Sequence, residues 1–167
     1  MRRLIGHELT HVYQQRGETS RELLNALKKD SLTARSSLVV ITGNSPFQRK
    51  TAAEELARKT AQQLYTVDLS PVSSKYIGET EKNLERIFKR ASSLGWVLFF
   101  DEADALFGKR TAVKDSHDRY ANQESNYLLK GIEYHRGLVI LGTNPQSDLI
   151  TTLRRTNQYV LKFPPFS

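Results

Sequence analysis

Five short apolar runs punctuate the chain: Leu38–Thr42, Leu64–Asp68, Trp96–Asp101, Leu138–Thr143 and Tyr159–Phe163. Leu38-Val39-Val40-Ile41-Thr42 shows no alternation of polar and apolar positions and ends at Gly43. An unbroken β-branched run of this length predicts a strand buried on both faces. The intervening segments have a helical period instead. Helices are predicted over Thr51–Gln63, over Glu79–Ser92 with Leu84, Ile87 and Phe88 on one side, and over Arg119–Tyr134. Strands alternating with helices predict an α/β fold: a parallel β-sheet flanked by helices, in three layers. Upstream, Thr19, Ser20 and Glu22 have the spacing of a capping box, Leu23, Leu24 and Leu27 share a helical face, and Lys28 and Lys29 fall in the last turn. Residues 1–36 are therefore expected to form a short helical N-terminal extension, with Asp30 to Ser37 as a polar linker and residues 37–167 as the main domain.

The composition fits this picture. A chain of 167 residues with 38% hydrophobic and 26% charged residues has the material for one globular core. No apolar run approaches the roughly 18 residues of a membrane span, and Arg2-Arg3 is followed by no apolar stretch of the kind a secretory signal needs. The lack of cysteine excludes disulfides and thiolate metal sites and suits a cytoplasmic protein. The net charge is +7 and the pI about 9.7. The Lys and Arg residues are spread along the sequence without a dense block or a nucleic-acid motif, so the charge is expected to be a basic surface, with a polyanion partner, nucleic acid or an acidic protein, as the minor reading and no membrane partner.

Chemistry concentrates at two strand ends. Val97-Leu98-Phe99-Phe100 leads into Asp101-Glu102, a buried strand delivering two carboxylates to the edge where open parallel sheets bind ligands. In a nucleotide hydrolase the first acid holds magnesium and the second polarises the attacking water. Leu138–Thr143 ends in Asn144, an amide able to hydrogen-bond that water or a terminal phosphate. As isolated features both are common strand endings.

Together, "VLFFDEADALFGKRTAVKDSHDRYANQE" and "GLVILGTN" resemble the AAA family of P-loop ATPases, over about residues 37–165. The chain is similar to small AAA proteins encoded beside contractile injection systems and phage-tail-like particles. The resemblance implies a P-loop NTPase-like sheet of five parallel strands, a homo-oligomeric ring, ATP and Mg2+ as cofactors, and remodelling of a protein substrate such as an injection-particle component. It makes Asp101 the magnesium acid, Glu102 the catalytic acid and Asn144 the sensor. "SKYIGETEKNL" resembles the first pore loop, with Lys75 and Tyr76 facing the channel; "TTLRRTNQYVLKFPP" resembles the segment of the arginine finger, placed at Arg155 by gapless counting. The second arginine of that segment falls on Gln158, and the acid before the finger falls on Ile150. The family's helical lid would follow the fifth strand, where this sequence stops at Ser167, so an AAA core without lid is expected.

The phosphate loop departs from the pattern G-x-x-x-x-G-K-[ST]. The segment reads Gly43-Asn44-Ser45-Pro46-Phe47-Gln48-Arg49-Lys50-Thr51. A gapless register puts Arg49 at the lysine and Lys50 at the hydroxyl position. One extra loop residue restores Lys50-Thr51 as the Lys-Thr pair but leaves Arg49 where glycine belongs. In either register a glycine is replaced, Pro46 removes an N–H donor, and Phe47 adds bulk where backbone must approach phosphate. Weakened ATP binding and doubtful hydrolysis are expected, with a catalytically dead pseudo-ATPase serving as a protein-interaction module as the alternative.

Finally, His7-Glu8-Leu9-Thr10-His11 matches H-E-x-x-H, which on a helix places two zinc ligands one turn apart. "IGHELTHVYQQRG" resembles the end of a zinc metallopeptidase family. With only six residues before His7 and no third ligand identifiable, a metallopeptidase remnant without a functional zinc site is the expected reading.

Overall fold

The computed structural model describes residues 3–4, 10–14, 21–32, 36–68, 79–104, 126–145 and 158–163. Strands β1 (Arg3–Leu4), β2 (Thr10–Gln14), β3 (Ser37–Thr42), β4 (Leu64–Val67), β5 (Val97–Phe100), β6 (Leu138–Thr143) and β7 (Gln158–Lys162) form one sheet in the order β1-β2-β7-β3-β6-β5-β4. From β7 to β4 the five strands are parallel, and β2 continues the parallel run beside β7. Only β1 turns back, pairing antiparallel with β2. Helices α1 (Arg21–Leu32), α2 (Pro46–Lys59), α3 (Glu79–Leu94) and α4 (residues 126–134) cover the sheet.

The three layers follow from strand alternation. Leu38 and Val40 of β3 share a cluster with Leu98, Phe100, Val139, Leu141 and Val160, sealed by Leu84, Phe88 and Ala91 of α3 and Leu128 and Ile132 of α4. Val39 and Ile41 face the other way, with Val97, Phe99, Ile140 and Leu161, under Leu23 and Leu27 of α1 and Ala53 and Leu56 of α2. Every residue of β3, β5 and β6 is buried, which is why these strands read as unbroken apolar runs.

Near the N-terminus the structure corrects the sequence reading. Thr10–Gln14 is a strand, in register Thr10↔Gln158 to Gln14↔Lys162 with β7. A helix through His11 would have forfeited this ladder, and Thr-His-Val-Tyr-Gln is rich in residues suited to a pleated surface. The helix expected to carry both histidines is therefore absent at its His11 end. His7 lies outside the described residues, and no cluster of metal-ligating side chains occurs among the described ones.

Nor does Asp30 begin a polar linker: it lies within α1, two residues before the helix ends. Asp30 is buried at 5% exposure and accepts hydrogen bonds from Ser37 Oγ at 3.0 Å and Tyr159 Oη at 2.8 Å. Tyr13 of β2 is buried against Tyr159, their ring centroids 6.5 Å apart. The N-terminal helix thus shares one core with β3, α2 and β7.

Candidate functional site

The rim where the parallel strands end collects the chemistry. Asp101 follows β5 directly, Thr143 and Asn144 close neighbouring β6, and Gly43 follows β3. The backbone stitches these ends together: Gly43 N–H donates to Thr143 O at 3.2 Å, and Ala103 N–H to Gly142 O at 2.9 Å. A Cβ at Gly142 would collide with Oδ1 of Asp101, so this glycine lets the carboxylate stand where it does. Glu102 has a φ of +54°, a left-handed conformation rare for a residue with a side chain, and it is exposed on the turn after β5.

The connection from β3 to α2 has only three residues, Gly43, Asn44 and Ser45. Ser45 is an N-cap in extended conformation (φ −100°, ψ 117°) whose Oγ accepts from Gln48 N–H at 3.3 Å, and Pro46 occupies the first helical turn, where its missing N–H costs nothing. The helix therefore begins five residues before the predicted Thr51. Its first turn absorbs the stretch expected to be an open phosphate loop. Gln48 N–H is engaged by the cap and Arg49 N–H donates to Ser45 O at 3.1 Å.

Arg49 occupies the centre of the site. Its side chain is 5% exposed. Nε donates to Asp101 Oδ1 at 2.8 Å, Nη2 reaches Oδ2 at 3.5 Å, and Nη1 donates to Gly43 O at 2.6 Å. The forked guanidinium thus ties the end of β3 to the acid after β5. Lys50 and Thr51, the pair of the alternative register, are exposed on α2. Phe47 is 78% exposed on the first turn.

Asp104 belongs to the candidate site by its contacts, and the motif reading overlooked it. Its two carboxylate oxygens accept from Thr143 Oγ1 at 3.0 Å and from Asn144 Nδ2 at 2.9 Å. The signal was present, an acid three residues after Asp101 in the turn that follows the strand. Asp104 couples the acid turn to the amide of β6, so Asp101, Glu102 and Asn144 occupy one rim. Arg155, Lys75 and Tyr76 lie outside the described residues.

Such an arrangement can bring a carboxylate, an exposed acid and an amide to one ligand, as nucleotide hydrolysis requires. With Arg49 in place, the carboxylate's own partner is a side chain. Residues 49–164 match the ATPase family associated with various cellular activities (AAA). The chain is 29% identical over 114 residues to the ribosome biogenesis ATPase RIX7 of Saccharomyces cerevisiae, covering 67% of this chain and 14% of that protein. It is 32% identical over 126 residues to the ATPase family gene 2 protein homolog B of Bos taurus, covering 72% of this chain and 16% of that one. The chain thus spans less than a fifth of the length of these relatives. A chain in the solved HORMA:CdnC:Trip13 complex of E. coli MS115-1 superposes with a TM-score of 0.58 at 21% identity, over 84% of this chain and 55% of that one.

Proposed function

Because the chain belongs to the AAA family of ATPases, we propose that it is an AAA core that acts through protein contacts while Arg49 holds its phosphate corner. ATP–magnesium then binds weakly and turns over slowly. One observation carries the reading: the bond set of Arg49 to Asp101 and Gly43, within a three-residue strand-to-helix connection. A phosphate loop binds through free backbone N–H groups and a flexible ammonium. Here the N–H groups of Gln48 and Arg49 serve the helix cap, and the acid that would receive magnesium holds a guanidinium. A triphosphate with its metal does not fit this corner unless Arg49 leaves.

AAA proteins generally assemble and act on protein substrates, so the partner proposed is a protein, engaged by a homo-oligomeric ring. The resemblance to proteins encoded beside contractile injection systems makes a component of a phage-tail-like particle the first candidate. Residues 37–167 are the proposed core, with residues 1–36 as a buttressing extension. The test is binding of a fluorescent ATP analogue with and without magnesium. Absence of saturable binding at micromolar protein supports the proposal. Micromolar, magnesium-dependent binding with turnover abolished by Glu102→Gln overturns it.

A remodelling ATPase is the second reading, favoured by the shared rim of Asp101, Glu102 and Asn144 and by the Asp104 bonds that fix Asn144. In that reading nucleotide displaces Arg49 from Asp101, and the same titration distinguishes the two.

A further inference from the structure

Parallel wiring points the described helices the same way. α1 ends at Leu32 and leads into β3 at Ser37; α2 ends at Lys59 before β4 at Leu64; α3 ends at Leu94 before β5 at Val97; and α4 precedes β6 at Leu138. Their C-termini therefore gather on one rim, at the opposite ends of the strands from Asp101 and Asn144. Backbone bonds tie this rim together, Ser37 N–H donating to Gly137 O at 3.0 Å and Val97 N–H to Gln63 O at 2.8 Å.

Cations scattered through the sequence meet on this rim. Arg58 and Lys59 in the last turn of α2 and Arg136 just beyond α4 are exposed on it, and Lys28, Lys89 and Arg90 are exposed one turn further back on α1 and α3. Lys59 and Lys89 face Glu55 and Glu85 one turn back, whereas Lys28, Arg58 and Arg136 have no ion pair among the described residues. Of the exposed acids, Glu22, Glu79 and Glu81 lie in the first turns of α1 and α3, away from this rim, while Glu85 sits one turn before Lys89 and half-buried Glu133 lies in the last turn of α4. Helix dipoles favour cations at C-termini, which accounts for their placement. The dipoles do not account for the aromatic residues there. Tyr65 is 41% exposed and stacks on Trp96 with centroids 5.0 Å apart and planes 16° from parallel, and the Arg90 guanidinium stands 5.6 Å from the Trp96 centroid. Tyr134, at the end of α4, is 82% exposed.

We propose that this rim binds single-stranded nucleic acid, with phosphates on the cations and bases stacked on Tyr65 and Tyr134. Aromatic platforms set among cations are how single strands are held without sequence readout. An acidic peptide would use the same cations but would leave the exposed ring faces without a matching surface. The net charge of +7 supplies the long-range attraction.

The test is fluorescence anisotropy of a labelled oligodeoxythymidine and its oligouridine counterpart with the full chain, at low and moderate salt, with polyglutamate as competitor. Saturable binding is expected, with log affinity falling against log salt by about 0.7 for each phosphate neutralised. Arg58→Gln with Arg136→Gln weakens binding about 10-fold and flattens that slope. Tyr65→Ala with Tyr134→Ala weakens it by about 5-fold or more and leaves the slope unchanged. Both pairs are exposed substitutions, and unchanged circular dichroism melts separate lost binding from lost fold. No saturable binding at low salt overturns the proposal, as do tyrosine variants that bind like the parent. Polyglutamate that competes as well as the oligonucleotide assigns the rim to an acidic protein and also overturns it.

Discussion

Tyr159 Oη donates to Asp30 Oδ2 at 2.8 Å, joining residues 129 apart in sequence and fastening the N-terminal helix to strand β7. The carboxylate is buried and also accepts from Ser37 at the start of β3. Removing one donor from a buried acid costs about 1–3 kcal/mol. Tyr159→Phe is expected to lower the unfolding free energy by that amount in urea titrations. Removing residues 1–36 is expected to cost far more, because Leu23, Leu24 and Leu27 leave the core with them. A truncated chain as stable as the parent would mean that the extension merely rests on the domain.

The Arg49–Asp101 pair predicts opposite effects on stability and on ligand affinity. The arginine side chain is 5% exposed and the aspartate 23%, so their charge-assisted bonds count for more than a surface pair. Arg49→Ala is expected to cost about 1.5–3 kcal/mol of stability. Combining Gln48→Gly with Arg49→Lys returns a compact ammonium and a flexible backbone to the loop. That variant is expected to bind the fluorescent ATP analogue about 10-fold more tightly, worth about 1.4 kcal/mol. An unchanged affinity in both variants would show that Arg49 is not what limits access to the site.

Gly142 sets the spacing between β6 and the acid turn. A methyl group at this position meets Asp101 Oδ1 and stands 3.1 Å from the Phe99 ring. The Asp101 carboxylate on one side and the buried Phe99 ring on the other are the groups that have to give way. Gly142→Ala is therefore expected to push the Asp101 carboxylate off Arg49 and to destabilise the fold by about 1–3 kcal/mol. Comparing the melt of Gly142→Ala with that of the Gly142→Ala, Arg49→Ala double variant checks this. If the methyl group acts by breaking the ion pair, the two losses fall well short of additive.

What the sequence disclosed about this fold was governed by how local the cause was. Strands β3, β5 and β6 are buried on both faces, so burial alone wrote their apolar runs. Asp101, Glu102 and Asn144 were legible for the same reason, as the first polar residues after buried strands. Strand β2 was not, because its state depends on pairing with β7 at the far end of the chain, and the H-E-x-x-H template overlapped it with a helical alternative. Asp30 looked like a linker residue because its partner Tyr159 is remote. The early start of α2 could have been read locally: Ser45-Pro46 is a cap followed by a first-turn proline, and the expectation of an open loop took precedence over it. Asp104 was equally local, and its role emerged only when Thr143 and Asn144 were seen to reach its two oxygens.

His135 gives the fold an acid-sensitive joint. It sits just beyond α4, is 3% exposed, and its Nδ1 lies 3.0 Å from Ser92 Oγ on α3. Nε2 is buried with no hydrogen-bond partner among the described residues, and the Phe88 ring packs at 5.5 Å. Burial pushes the pKa of the imidazole below its ordinary value of 6.5. Charged neighbours around the same α3–α4 cavity, Glu81 and Glu85 against Lys89 and Lys130, balance in sign. In the unfolded chain the ring takes up a proton near pH 6.5, while in the folded chain it does so only at lower pH. The unfolded state therefore binds more protons in that interval, and stability is lost as pH falls from about 6.5 toward the lowered folded value. Above that window the contribution is complete. The expected result is an unfolding free energy flat between about pH 7 and 8 and declining below pH 6.5. His135→Gln should remove this part of the decline, because the glutamine amide keeps a hydrogen-bonding group near Ser92 and does not titrate. Parallel pH profiles for parent and variant in urea titrations would refute the assignment to His135.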